Sequence, residues 1–349
     1  MHIKLFYTIA TLKRIALPRI VRKAKKSLIK LLKLNFSMKK PIFIVIVLLL
    51  LGSLLTYILI PSLIVVKKSI VVENNPKGLG RCLSDSSKWI TWWPAKLNGN
   101  KKILNDKEYR LADKTFNSIL IDVTKNNSTL KTSLNIIPLT TASVKLQWIA
   151  ELKASYNPYQ RLRTYLYARE IKDDFTTIFN AVKTYYSNSI SLYGLDIKRE
   201  IVQNSSLIYT TDSAKGYPST EKIYSMLNQL RSYIQLNSAN ATDSPMLNIN
   251  TADSITYFTR VAIPTNKKLE SRGKIQYRMM LGGGNILCAQ VKGGNEKVDS
   301  AFKIVQQYVQ DYGLVAPAIP FYSLVSNRIA QRDNKQWMTK IFYPVMYYN

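Results

Sequence analysis

Histidine is almost missing from this chain: the only one, His2, lies at the extreme N-terminus. A histidine-based triad, a His-x-x-x-His metal site and any histidine-dependent acid-base step are therefore excluded from the rest of the sequence. Cysteine is nearly as scarce. Cys82 and Cys288 are the only two, and their wide separation supplies neither a disulfide framework nor a thiolate zinc site. Acid is short as well, with 21 Asp and Glu against 50 Lys and Arg and a formal charge of +29. That surplus favours a negative surface or ligand. Past the N-terminal arm no dense Lys/Arg cluster is interleaved with aromatics, so nucleic acid is not an expected partner. The Gly282 to Gly284 run precedes a strand and lacks the Gly-Lys-Ser/Thr of a nucleotide loop. It reads as a hairpin turn between "KIQYRMM" and "NILCAQV". No cofactor, metal site or catalytic constellation is expected.

What the chain does have is one long apolar run, "IFIVIVLLLLGSLLTYILIPSLIVV", residues 42 to 66, without a charged residue. About 20 such residues cross a hydrocarbon core, so 42 to 66 is expected to be a single transmembrane helix, with the lipid bilayer as a partner. Residues 1 to 41 form a basic arm of twelve Lys or Arg and no acid. The nearby basic residues after the run are Lys67, Lys68, Lys77 and Arg81. The imbalance places the N-terminus in the cytoplasm and the C-terminal body outside it. The expected site is the inner (cytoplasmic) membrane of a bacterium, crossed once. Within the arm, "LKRIALPRIVRKAKKSLIKLLKL" can lie on an anionic membrane surface, broken at Pro18. Two other readings stay open. "MKKPIFIV" from Met38 has the basic head of a cleaved signal peptide, although its apolar part is long and lacks a small-x-small site. Met38 also serves as an alternative translation start.

The following region, 69 to 192, opens with a short strand and a turn around Asn74 to Gly80. A short helix then ends at Trp89, Trp92 and Trp93. Three hairpin strands are expected over 116–125, 128–139 and 141–153. After them "REIKDDFTTIFNAVKTYYSNSI" puts Ile171, Phe175, Ile178, Phe179, Val182, Tyr185 and Tyr186 on one helix face. The opening strand, the "W..WWP" segment, the hairpin ending at Trp148 and the final helix together resemble the START/Bet v1-like superfamily (SRPBCC, polyketide cyclase-like). The resemblance implies a helix-grip fold, a curved sheet closed by that helix around an apolar cavity. Trp89, Trp93 and Trp148 are then candidate cavity-lining residues, with packed core as the alternative.

Residues 197 to 349 carry a faint internal repeat, a strand-helix-strand-strand unit present twice, with helices at 219–237 and 297–313. Two such units form an antiparallel sheet with both helices on one face and the other face free to bind. The strand "ILCAQVKGG", the helix end "YVQDYGL" and the terminal "W.T.IFYPV" resemble the GyrI-like small-molecule-binding domain, the effector-binding domain of AraC-type regulators. That resemblance implies an aromatic cleft between the repeats and a glutamate in the last strand that attracts cations. Here Lys340 stands at the glutamate's place, reversing the charge. Tyr257, Tyr277, Tyr322, Trp337, Lys340, Phe342 and Tyr343 are the candidate ligand-binding residues.

The expected fold class is therefore α+β, a transmembrane helix followed by a helix-grip domain and a duplicated GyrI-like domain. The expected function is non-enzymatic binding or sensing of small amphipathic or anionic organic molecules by a membrane-tethered protein. Without a DNA-binding helix-turn-helix, any signal would pass through a protein partner. Two alternatives remain, a structural or protein-interaction module with filled clefts, and a small-molecule hydrolase or cyclase.

Overall fold

The computed structural model describes residues 40–95, 101–203, 206–251, 253, 255–280 and 282–346. The basic arm therefore lies outside the described residues, apart from the first two positions of α1 (Lys40–Leu59). The chain divides into two units, residues 1–62 with 154–163, and residues 63–153 with 164–349.

In the first unit α1 is shorter than its apolar run. Pro61 cannot continue the helix, and Arg161 occupies its end, donating from Nε (2.9 Å) and Nη2 (2.5 Å) to the Ile60 carbonyl. That cation sits where the helix leaves carbonyls unpaired and partial negative charge gathers. Most side chains along the helix are exposed and apolar, Leu48, Leu49, Ile58 and Leu59 among them. They are described from residue 43 onward, which amounts to about 26 Å of helix at 1.5 Å per residue. Among the described residues no helix is long and apolar enough to cross a membrane. The expected span of 42 to 66 is corrected accordingly, because 63 to 66 are not helical but begin strand β1 (Leu63–Val72). The β-branched Ile64, Val65 and Val66 suit a pleated sheet. Ile64 and Val66 turn inward while Leu63 and Val65 face out.

In the second unit β1 is the edge of a six-stranded antiparallel sheet, ordered β1-β6-β5-β4-β3-β2. Its other strands are β2 (Lys102–Leu104), β3 (Lys107–Lys114), β4 (Ser118–Lys125), β5 (Ser128–Pro138) and β6 (Val144–Lys153). The three expected hairpin strands fall on β4 to β6, whereas β2 and β3 had no sequence signal. Asn126 and Asn127 turn β4 into β5 with φ of 48° and 62°, the left-handed pair that a tight hairpin demands. Helix α2 (Pro76–Leu83), with Asn75 as its cap, lies between β1 and β2. Helix α3 (Pro158–Tyr185) follows β6, and over 164–185 its expected stripe is buried except at Tyr185, which is half-buried: Ile171, Phe175, Ile178, Phe179 and Val182 are all at most 2% exposed.

After the short α4 (Ser189–Tyr193) comes an eight-stranded antiparallel sheet, ordered β11-β8-β10-β9-β13-β14-β12-β7. The strands are β7 (Ile197–Ile201), β8 (Ser206–Lys215), β9 (Met246–Thr251), β10 (Thr256–Pro264), β11 (Gln276–Met279), β12 (Asn285–Lys292), β13 (Phe321–Leu324) and β14 (Met338–Pro344). Helix α5 (Thr220–Leu236) belongs to the first copy of the repeat and α6 (Asn295–Asp311) to the second. Each expected first strand is in fact two, and each copy lends its short leading strand to the other: β7 closes the edge beside β12, and β11 closes the edge beside β8. The Gly282 to Gly284 segment is therefore not a hairpin turn. It connects strands six positions apart, roughly 29 Å at 4.8 Å per step in a flat sheet, with a connector that reaches only about 20 Å. The sheet must curl. Its two connectors meet, Val202 N–H bonding to Gly284 O at 2.9 Å and Gly283 N–H to Val202 O at 3.1 Å.

The two sheets share a junction at Asp311. Its carboxylate receives both terminal nitrogens of Arg81 (2.7 and 2.5 Å), the Tyr193 hydroxyl (2.8 Å) and Gln307 Nε2 (3.1 Å). Asn75 Nδ2 bonds to the Asp311 carbonyl at 3.0 Å. The C-terminal end of α6 is thus locked to the α2 and α4 region of the first sheet.

Candidate functional site

The first sheet offers no room. Trp89 stacks on Trp93 (6.0 Å), Trp93 meets Tyr109 (5.4 Å), Tyr109 meets Trp148 (6.2 Å), and Trp148 stacks on Phe175 of α3 (4.2 Å). Three of the indoles have their own ties: Trp89 Nε1 to Leu83 O, Trp93 Nε1 to Ile103 O, and Trp148 Nε1 to Thr132 Oγ1. The space left among them is about 10 Å³, no more than one water needs. The expectation that Trp89, Trp93 and Trp148 line a cavity is corrected here. Indoles fill the interior that the resemblance left for a ligand.

Beneath them is a buried polar cluster that sequence reasoning missed. Lys107 and Asp174, each 1% exposed, pair at 3.0 Å. Asp174 also accepts from Tyr109 OH (2.6 Å) and Asn105 Nδ2 (2.7 Å). Burial and this carboxylate hold the Tyr109 hydroxyl far above its ordinary pKa. The cluster ties β3 to α3 through buried bonds.

In the second sheet, strand alternation sorts the candidates onto two faces. Tyr257, Tyr277, Tyr322 and Tyr343 lie on the face that carries α5 and α6. Tyr322 and Tyr343 pack on Phe302 of α6 (5.7 and 5.9 Å), Tyr257 on Tyr217 (5.6 Å), and Tyr277 pairs in register with the buried Ile208. Trp337 lies under the guanidinium of the buried Arg328 at 4.7 Å. Arg328 Nη1 and Nη2 bond to Asn295 Oδ1 and Thr339 Oγ1. Burial lowers the pKa of Arg328, and burial with the nearby Asp299 raises those of Tyr217 and Tyr322. Lys340 and Phe342 occupy the opposite face, where Phe342 stacks on Phe321 at 5.2 Å.

That opposite face is concave and holds a cavity of about 600 Å³. Its floor includes Leu207 and Tyr209 of β8, Leu247 of β9, Arg260 and Ala262 of β10, Phe321 of β13 and Pro344 of β14. Val202, Met280 and Gly284 come from the connecting segments, Asn285 from the start of β12, and Pro317, Ile319 and Met346 complete the wall. None of the candidates chosen from sequence lines it. Apart from Lys340 they were chosen as aromatics, whereas this lining is mainly aliphatic and methionine-rich, with Tyr209, Phe321, two arginines and no acid. Their signal was parity: in "TYFTRVAIP", Phe258, Arg260 and Ala262 alternate with the core-facing Val261 and Ile263. A larger depression of about 970 Å³ runs along α5 past Glu221, Asn228, Gln229 and Arg272. It is a shallow hollow open to solvent, so a small apolar molecule would stay wet there. The smaller, more enclosed cavity is the better binding site.

No family model matches the chain, and neither does any curated protein. Among solved structures it is similar to an EcmrR–DNA complex, with 14% identity over 54% of this chain and 71% of that one and a TM-score of 0.39. It is also similar to the EcmrR C-terminal domain, with 15% identity, 44% and 99% coverage and a TM-score of 0.36. A START superfamily protein from Mycobacterium smegmatis aligns at 13% identity, 35% and 96% coverage and a TM-score of 0.27. Likenesses of this size say nothing of activity.

Proposed function

We propose that this chain is a membrane-tethered, non-enzymatic module that binds or senses small amphipathic or anionic molecules in its second sheet. In this reading the first sheet is a START/Bet v1-like domain turned into a packed scaffold, and the second is a GyrI-like domain that keeps its ligand space. The observation that carries the proposal is the 600 Å³ cavity on the concave face, apolar, half-enclosed and lined by Arg260 and Arg278 without a carboxylate. Drug-sized ligands occupy pockets of roughly this size, about 300–1,000 Å³. Among the described residues the same lining holds no carboxylate to work with Tyr209 as acid and base.

The tether is α1, whose apolar side chains are exposed. The apolar side chains described on it, from 43 to 59, cover about 26 Å, a few ångströms short of a hydrocarbon core, a mismatch that a bilayer meets by local thinning. Positive residues before the helix would hold the N-terminus in the cytoplasm and the two sheets in the bacterial envelope. For the first sheet alone, the filled interior favours the structural or protein-interaction reading.

Native mass spectrometry of the full chain released from lipid nanodiscs tests the binding function. A reproducible small-molecule adduct, weakened by Phe321→Ala, supports it. A clean mass, joined to an unchanged melting temperature across metabolite and lipid panels, would move the whole chain to the structural reading.

A further inference from the structure

The cavity's charge narrows its ligand. We infer, resting on the reading of this cavity as the binding site, that it takes an amphiphile with one anionic head, seated on Arg260, and an apolar tail.

Arg260 stands on β10 with its Nε buried and without a hydrogen-bond partner. Its guanidinium lies 5.6 Å from the centre of the Tyr209 ring, and it takes part in none of the ion pairs among the described residues. Arg278 is likewise without an acid there, but it is exposed. The registers Arg260↔Thr211 and Arg278↔Leu207 put the two four residues apart along β8, about 13 Å. One arginine is therefore inside the cavity and the other at its rim.

A cation with a buried, unpaired N–H in an apolar hollow is costly to keep. An incoming carboxylate or phosphate would supply both the missing acceptor and the missing charge. A cationic head would meet two arginines and no acid. A purely polar anion would leave Met246, Met279 and Phe321 unsatisfied as contacts, and flexible thioethers conform readily to a varied hydrocarbon tail. The rim arginine steers and the inner one holds, so Arg278 governs association and Arg260 dissociation.

The test is photolabelling of the full chain in phosphatidylcholine nanodiscs with diazirine-bearing decanoate, decanol and decylamine, with labelled peptides mapped by mass spectrometry. The expected result is that decanoate labels the 276–280 and 317–321 segments in preference to the other two. Unlabelled decanoate should compete, and Arg260→Met should weaken competition about tenfold or more, the worth of a charge-assisted hydrogen bond. Arg260→Lys should restore part of it, which a folding defect would not. Discs that also contain phosphatidylglycerol separate the sources: if that lipid blocks decanoate labelling the head group comes from the bilayer, and if not it is a free anion. Equal labelling of the cavity by all three probes would overturn the anionic assignment while leaving the binding function intact. Labelling of neither segment by any probe would overturn both.

Discussion

Replacing Asp174 with alanine removes the acceptor that the buried Lys107 and Tyr109 share with the exposed Asn105. Lys107 would keep only the Asn105 carbonyl at 3.3 Å and Glu170 at 3.5 Å, a carboxylate whose side chain is 49% exposed. Tyr109, 2% exposed, would lose the acceptor of its hydroxyl. Stranding one member of a buried ion pair costs about 3–5 kcal/mol. For a body of this size each kcal/mol shifts the melting temperature by about 2–4 °C, so a fall of about 6–20 °C is expected. Glu170→Ala, acting on a half-exposed pair, should cost about 1 kcal/mol or less. The double change Lys107→Met with Asp174→Leu removes both charges and should recover most of the loss. Urea unfolding of the full chain in nanodiscs, followed by tryptophan fluorescence, reads this directly, because Trp93 and Trp148 flank Tyr109. An Asp174→Ala loss within 1 kcal/mol of that for Glu170→Ala would refute the claim that this cluster is a buried tie between β3 and α3.

Asp311→Ala should loosen the junction of the two sheets by about 1–3 kcal/mol, since Arg81 can rehydrate but Tyr193 cannot. Faster amide exchange in 76–83 and at the C-terminal end of α6 is the expected sign, and unchanged exchange would count against a docked pair. The Cys288 thiol is pushed up to about 12, first by burial and then by Glu200. Its folded form is held neutral, so its contribution to stability is complete below the ordinary value of 9.0 and is lost as the pH rises towards 12. Maleimide at pH 8 should modify it only on unfolding, and fast labelling of the native protein would contradict this. Protease added to spheroplasts should cut the C-terminal body from outside, whereas digestion that requires lysis would reverse the orientation.

Local pattern made much of this molecule legible before any tertiary contact. The 3.6-residue stripe from Ile171 to Val182 needed only helix geometry, because each of those side chains had to share one buried face. The repeat around α5 and α6, and the strands β4 to β6, followed from alternation and turn residues in the same way. Composition alone removed histidine chemistry. The long apolar run was legible as apolar but not as one element: 63 to 66 belong to β1, since pairing with β6 outweighs continuation of a helix past Pro61. Likewise, nothing local tells whether Trp89, Trp93 and Trp148 surround a hollow or fill it. That depends on the gap between the sheet and α3. The candidate site was least legible, because the cavity exists only once β7 and β11 exchange edges and the sheet curls. Sequence parity set Arg260 and Tyr257 on opposite faces, and the long-range strand order decided which of those faces encloses space.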